Sequence, residues 1–157
     1  MADDKMLAAA GQVYETLCKA LDERDWNYDR VEKDLVVRFG VNGEDIPIQF
    51  VILVDAERQM VRCMSRLPFK MSESKRVEGA IAACAASYGM ADGSFDYDVT
   101  EGTLFFRMTA SFRESRVGTA LFSYLIDCSC AMVDRYNDKF LALDKGVLSI
   151  NDFIAQA

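Results

Sequence analysis

Cys128 and Cys130, one residue apart in the run LIDCSCAMVDRY from Leu125 to Tyr136, are the residues whose types and spacing most directly suggest chemistry. A Cys-x-Cys pair can hold a soft metal or cycle through a disulfide only if both sulfurs reach one point. The apolar residues around the pair recur at helical spacing. On a helix each residue advances by about 100°, so the two side chains diverge by roughly 200° and cannot grip one ion together. Cys128 falls on the stripe Leu121, Leu125, Met132 and is expected in the core, where a free thiol behaves as a small hydrophobe. Cys130 points elsewhere, and a partly exposed thiol there leaves a redox role open.

The sequence contains no histidine. That removes Ser-His-Asp, Cys-His and His-metal arrangements, since the commonest general base and metal ligand is missing. Asp92, Asp96 and Asp98 in ADGSFDYD lack the Asp-x-Asp-x-Asp-Gly spacing of a calcium loop and are expected in a turn and on a strand face. Asp127, Asp134 and Asp138 share a side of one helix, which implies a solvated face or, as the alternative, a surface for a basic partner. The nine glycines are scattered, so no phosphate-cradling loop is predicted. No catalytic set, metal site or cofactor is expected.

Bulk properties narrow the classes further. The 157 residues suit one domain. A formal net charge of −7 argues against a nucleic-acid backbone as partner, because such binding rests on clustered Lys and Arg. The longest run free of charged residues, Gly79 to Ala91, has 13 residues and is too short to span a bilayer. The start, MADDKMLAAAG, is acidic where a signal peptide is basic. Five cysteines, an odd number without dense spacing, fit reduced thiols in a cytoplasm.

The elements that position these residues follow from periodicity. Met6, Ala10, Val13, Tyr14, Leu17, Cys18 and Leu21 predict a helix from about Lys5 to Leu21. After the polar connection DERDWNYD, the runs DLVVRFGV, IPIQFVILV and MVRCMSRL read as a three-strand antiparallel meander. Leu67-Pro68 ends the third strand. The stretch SESKRVEGAIAACAASYG predicts a second helix, with Ser72 or Ser74 as N-cap, Gly89 as stop, and Val77, Ile81, Cys84, Ala85 and Tyr88 on one face. SFDYDV and TLFFRMTASF form a hairpin around Thr100-Glu101-Gly102. A long helix is expected from Ser115 to about Leu143, its apolar stripe running through Val117, Leu121, Leu125, Cys128, Met132, Tyr136 and Leu143, and a short helix from Ser149 to Ala155 follows. The order α-β-β-β-α-β-β-α, with strands grouped, predicts an α+β layer fold with an antiparallel sheet packed on helices.

Several features resemble the YbjN-like proteins, whose fold is that of type III secretion chaperones. They are Trp26 and Tyr28 before the meander, Leu67-Pro68 after it, the helix start SESKRVEG, the run GSFDYDVTEGTLFFR, and the ending RYNDKFLAL with Gly146 to Ser149 behind it. The similarity covers nearly the whole chain, as a single domain 1–157. One departure is Ala85-Ala86-Ser87, where the family often carries an Asn late in the middle helix. The resemblance implies a bacterial, non-enzymatic protein tied to stress or signalling regulation, or a chaperone-like binder of other chains.

Strand parity supplies a candidate site. If Leu35, Val37, Phe39, Ile48, Phe50, Ile52, Val61, Cys63, Phe95, Tyr97, Leu104, Phe106 and Met108 face the helices, the other face is decided too. It carries Val36, Arg66, Asp96 and Asp98 together with Arg38, Val51, Leu53, Arg62, Met64, Phe105 and Arg107, and the last seven are the predicted partner-binding residues. Arg, Met and aromatic side chains are enriched at interfaces. The alternative is that the Arg stems merely cover the sheet and pair with acids across strands. A bulge in the third strand would swap its faces. The expected function is a non-enzymatic, regulatory or chaperone-like module binding a protein segment or a second copy of itself. The alternatives are a dedicated type III secretion chaperone holding an effector segment, or a small redox or small-molecule enzyme using Cys63, Cys130 or an arginine-lined pocket.

Overall fold

Helix α1 spans Asp4–Glu23, and its start is fixed by Asp3, whose carboxylate accepts a hydrogen bond from the Met6 N–H at 2.8 Å. One face of α1 buries Ala10, Val13, Tyr14, Leu17, Cys18 and Leu21, as the three- and four-residue spacing expects, while Met6 at its start is only half-buried. The computed structural model describes residues 1–157. After α1 come β1 (Asp29–Val31), β2 (Val36–Asn42), β3 (Pro47–Asp55), β4 (Met60–Lys70), α2 (Arg76–Tyr88), β5 (Ser94–Asp98), β6 (Thr103–Ser111), α3 (Thr119–Asp144) and α4 (Ile150–Gln156).

The strands form one antiparallel six-stranded sheet in the order β1-β2-β3-β4-β6-β5. The α+β architecture and the strand order of the meander and hairpin are those expected. Strand parity also holds: Val37, Phe39, Ile48, Phe50, Ile52, Val61, Cys63, Phe95, Leu104, Phe106 and Met108 are all buried under the helices. β4 runs on through Leu67-Pro68, expected to end it, as far as Lys70, and its pairing with β6 shifts only between Arg66 and Lys70, where Pro68 has no N–H to give the ladder. Helices α1 and α3 pack on this inner face, and α2 packs beside β5.

The two sheet edges differ. Ser87 Oγ on α2 accepts a hydrogen bond from the Phe95 N–H of β5 at 2.8 Å, so that edge is tied to a helix. At the other edge β1 pairs only with Val36–Arg38, and β2 from Phe39 to Asn42 has no strand on its outer side.

Several expectations are corrected. Before the meander lies an extra strand, β1, in which the polar Asp29 and Arg30 leave Val31 as the one apolar residue. Leu35 is not in a strand; it follows a 3₁₀ turn at Glu32–Asp34, is only half-buried and holds φ 52°. Tyr97 is half-buried rather than core. Ser72 does not cap α2; its N–H and hydroxyl both bond the Asp144 carboxylate, at 2.6 and 2.7 Å, and a 3₁₀ turn at Glu73–Lys75 intervenes before the helix. Ser115 to Gly118 lie outside α3, which starts at Thr119.

Helix α2 buries its small residues and exposes its larger apolar ones. Val77, Ile81, Cys84 and Tyr88 do share a face, but that face is exposed, and Gly79, Ala82, Ala83 and Ala86 are buried instead. The cause is a close approach: a Cβ at Gly79 would lie 2.7 Å from the Tyr97 hydroxyl oxygen and 2.9 Å from Met71 Cγ. Only the small ridge of the helix fits there, and the larger apolar residues are left outside. On helix α3 the expected stripe holds at Leu125, Tyr136 and Leu143, while around Leu121, Cys128 and Met132 the buried line lies one position further on. Its buried line runs through Phe122, Leu125, Ile126, Ser129, Val133, Tyr136, Asn137, Phe140 and Leu143. Leu121, Cys128 and Met132 flank it, half-buried, so Cys128 is not core and Ser129 between the two cysteines is.

Candidate protein-binding face

All seven predicted partner-binding residues lie in three adjacent cross-strand rows on the face opposite the helices. One row aligns Val36, Leu53, Arg62 and Thr109, the next Arg38, Val51, Met64 and Arg107, and the third Gly40, Gln49, Arg66 and Phe105. Strands lie roughly 4.8 Å apart and alternate residues roughly 7 Å apart, so the rows make one continuous patch. No helix covers it; Arg38, Val51 and Arg66 are exposed, and Leu53, Arg62, Met64, Phe105 and Arg107 half-buried.

The four guanidinium groups are in different states. Arg107 is engaged: its Nε and Nη2 donate to the two oxygens of Asp96 at 2.6 and 3.1 Å. That bidentate bond raises the pKa of the guanidinium. Arg62 Nη2 stands 3.9 Å from Asp55 Oδ2, an oxygen already bonded by Arg58 at 3.0 Å, and Arg62 Nε is buried without a partner. Burial alone would raise the pKa of Asp55, but the hydrogen bonds from Arg58 outweigh it and hold the carboxyl below its ordinary value. Arg66 lies over the Phe105 ring, 5.9 Å from Cζ to centroid. Arg38 forms no ion pair, although Asp29 of β1 is its cross-strand neighbour. Two unpaired cations thus sit beside Val51, Leu53, Met64 and Phe105, and the sheet offers planar donors suited to carboxylates within an apolar surround.

The other candidate residues are occupied structurally. Asp92 Oδ2 accepts from the Tyr124 hydroxyl at 3.1 Å, and Asp98 Oδ1 accepts from the Thr100 hydroxyl at 2.6 Å. Asp127 bonds Arg24 at 2.8 Å, and Asp134 accepts the Glu44 N–H at 3.0 Å, so these two pin α3 to neighbouring segments and are not simply a solvated face. Among the thiols, burial pushes Cys63 up to about 12 and Cys130 up to about 11, and raises Cys18 and Cys128 in the same direction. These four are kept protonated at neutral pH, the opposite of an activated nucleophile.

Two surfaces were not singled out from the sequence. One is the exposed stripe on α2; the other is a cavity between α2, α3 and α4. The spacing of Val77, Ile81, Cys84 and Tyr88 is the signal that was present, and a buried and an exposed apolar stripe look alike at that level.

The six-stranded antiparallel sheet with helices on one side and an uncovered opposite face defines the class of fold as α+β. The model of the YbjN family, described as "Putative bacterial sensory transduction regulator", matches residues 14–142. The chain belongs to the YbjN family. Among solved structures it is similar to YbjN of E. coli, described as "a putative transcription regulator", with a TM-score of 0.57 and 12% identity over 80% of this chain and 92% of that one. It is also similar to a chain of the HopA1-SchA chaperone-effector complex, with a TM-score of 0.51 and 10% identity over 77% of this chain and 88% of that one. These likenesses show the fold, that of a type III secretion chaperone. No curated protein matches the sequence. No helix is long and apolar enough to cross a membrane.

Proposed function

We propose that this chain is a non-enzymatic binding module that acts by holding an acidic, partly apolar protein segment across the open sheet face. The observation that carries the reading is the pair of unpaired guanidinium groups, Arg38 and Arg66, beside Val51, Leu53, Met64 and Phe105 on a face that no helix covers. In a chain of net charge −7 such a cationic patch is a local exception, and charge complementarity selects acidic partners. A reducing, cytoplasmic setting fits the five free cysteines. To test it, a photo-crosslinking residue is placed at Val51 and, as control, at Lys19 on α1. Adducts specific to Val51 that map to acidic segments, and that disappear in an Arg38→Glu/Arg66→Glu variant, support the reading. Identical adduct patterns at both positions sink it.

A second reading is a dedicated secretion chaperone, favoured by the likeness to a chain of a chaperone-effector complex. A homodimer is compatible with either. It would use the exposed stripe of α2 more readily than the sheet, because Val77, Ile81 and Tyr88 carry no arginines among them. Light scattering separates the two surfaces: an Ile81→Asp variant should lose a dimer mass that Leu53→Asp/Phe105→Asp retains. The reverse pattern would assign self-association to the sheet.

A further inference from the structure

Helix α4 is seven residues long and lies beyond the residues 14–142 that the family model matches. A helix this short does not hold in water by itself, so its order depends on what it touches. One side chain supplies most of that contact. Phe153 is fully buried, its ring 5.1 Å from that of Phe140 and 6.5 Å from that of Tyr136, centroid to centroid. Phe95 meets both of those rings edge-on, at 5.2 and 5.4 Å, and completes an aromatic socket. Asn151, Asp152 and the residues from Ile154 to Ala157 are exposed, while Leu148 and Ile150 are half-buried at the entrance.

Little else ties the helix down. Lys139 Nζ donates to the Gln156 carbonyl at 2.6 Å, and no backbone hydrogen bond joins α4 to another element. The cap is internal to the segment: Ser149 Oγ accepts the Asp152 N–H at 3.1 Å and donates to the Asp152 carboxylate at 2.7 Å. The connection has the form of a hinge. Helix α3 is already closed off, because the N–H groups of Val147 and Leu148 donate to the Ala142 carbonyl at 2.9 and 3.1 Å. Gly146 holds φ 71° with open space where a Cβ would stand. Helix α4 can therefore leave with its cap intact and α3 still wound, and its departure uncovers the rings around Phe153. One phenylalanine and two half-buried aliphatic side chains offset the entropy of ordering such a segment by a small margin only.

We propose that α4 is a releasable strap: it closes the aromatic socket in this structure, and the open socket accepts from a partner chain a short helix of the same kind, with a single aromatic residue facing in. The socket is separate from the sheet face, so the inference stands apart from the binding reading above. The test follows the anisotropy of a fluorescein-labelled peptide of residues 149–157 added to the full chain. Wild type should bind it weakly, because its own strap competes at the high local concentration of a short tether. The Phe153→Ala chain, checked for fold by circular dichroism, should bind it about tenfold tighter or more. A peptide carrying the same Phe153→Ala change should bind neither chain. Hydrogen exchange on the wild type reads the release without any substitution: amides 153–156 should exchange much faster than those of α3 from Val133 to Leu143. Equal affinity for the two chains, no binding to the Phe153→Ala chain, or undiminished binding of the altered peptide overturns the proposal. Protection of α4 equal to that of α3 overturns it too, and decides the matter by itself if Phe153→Ala does not fold.

Discussion

Asp96 and Arg107 are diagonal neighbours across the β5–β6 hairpin, joined by two hydrogen bonds of 2.6 and 3.1 Å between carboxylate and guanidinium. This pair withdraws one of the four arginines from the sheet face and leaves the surface electrostatics to Arg38, Arg66 and, in part, Arg62. Asp96→Asn should release Arg107 and strengthen binding of an acidic peptide, while Arg38→Glu/Arg66→Glu should weaken it by about tenfold or more, with the difference shrinking as salt is raised. Fluorescence anisotropy at two salt concentrations measures this. Unchanged affinity in the double arginine variant would remove the face from consideration.

Gly102 holds φ 73°, and a Cβ there would collide with the Met71 carbonyl oxygen. Its own carbonyl accepts the Met71 N–H at 2.9 Å, so the turn cannot simply move away. Gly102→Ala is expected to cost roughly 1–3 kcal/mol, read from the midpoint of urea unfolding. A variant as stable as the wild type would show that this turn yields.

Phe140 is fully buried and meets Phe95 at 5.2 Å and Phe153 at 5.1 Å between ring centroids. It joins β5, α3 and α4 in one aromatic cluster. Phe140→Ala should cost roughly 3–5 kcal/mol in chemical denaturation, and Phe140→Leu distinctly less, because a smaller cavity remains.

The hydrogen bond from the Thr100 hydroxyl, with those from the backbone N–H groups of Thr100 and Glu101, holds the Asp98 carboxyl below the ordinary aspartate value. A folded-state pKa below the unfolded one means that the stabilisation is fully present above the ordinary carboxylate range. It is lost as pH falls through the folded value. Asp98→Asn should therefore lower Tm near about pH 7, and the gap from wild type should close toward about pH 3. A pH-independent gap would show that the carboxylate charge plays no part.

Thiol reactivity should follow exposure. Cys84 on the outer face of α2 is exposed, while Cys18 and Cys63 are 2% and 0% exposed. Timed alkylation with peptide mass spectrometry should give Cys84 first, Cys128 and Cys130 later, and Cys18 and Cys63 only on unfolding. Rapid modification of Cys63 would contradict the packing of β4.

The sheet was legible in the sequence because alternation in β3 and β4 is strict: Ile48, Phe50, Ile52 and Val54 are buried, with Gln49 and Val51 between them exposed. Parity alone therefore located the rows that carry Arg38, Val51, Met64 and Arg107. The helices were less legible. Periodicity finds a helix and an apolar stripe, yet it does not say which side meets the sheet when small residues compete with large ones. On α2, Gly79 and three alanines take the inner side because the backbone approaches Tyr97 and Met71 too closely for a Cβ. On α3 the same ambiguity left Leu125, Tyr136 and Leu143 in place but moved the middle of the buried line by one residue, from Cys128 to Ser129. β1 was missed because its three residues alternate too briefly to register, and the cavity because it needs α4 in place against α3.

The bond from the Phe95 N–H to Ser87 has a consequence for assembly. A sheet with two open edges can pass strand addition from molecule to molecule and grow into a fibre. Here the β5 margin carries a side-chain bond from the chain's own helix at Phe95, whereas the outer sides of β1 and of β2 beyond Arg38 face no strand. Strand addition is thereby directed to the β1–β2 margin, where two copies pairing edge to edge would use up the open side of both.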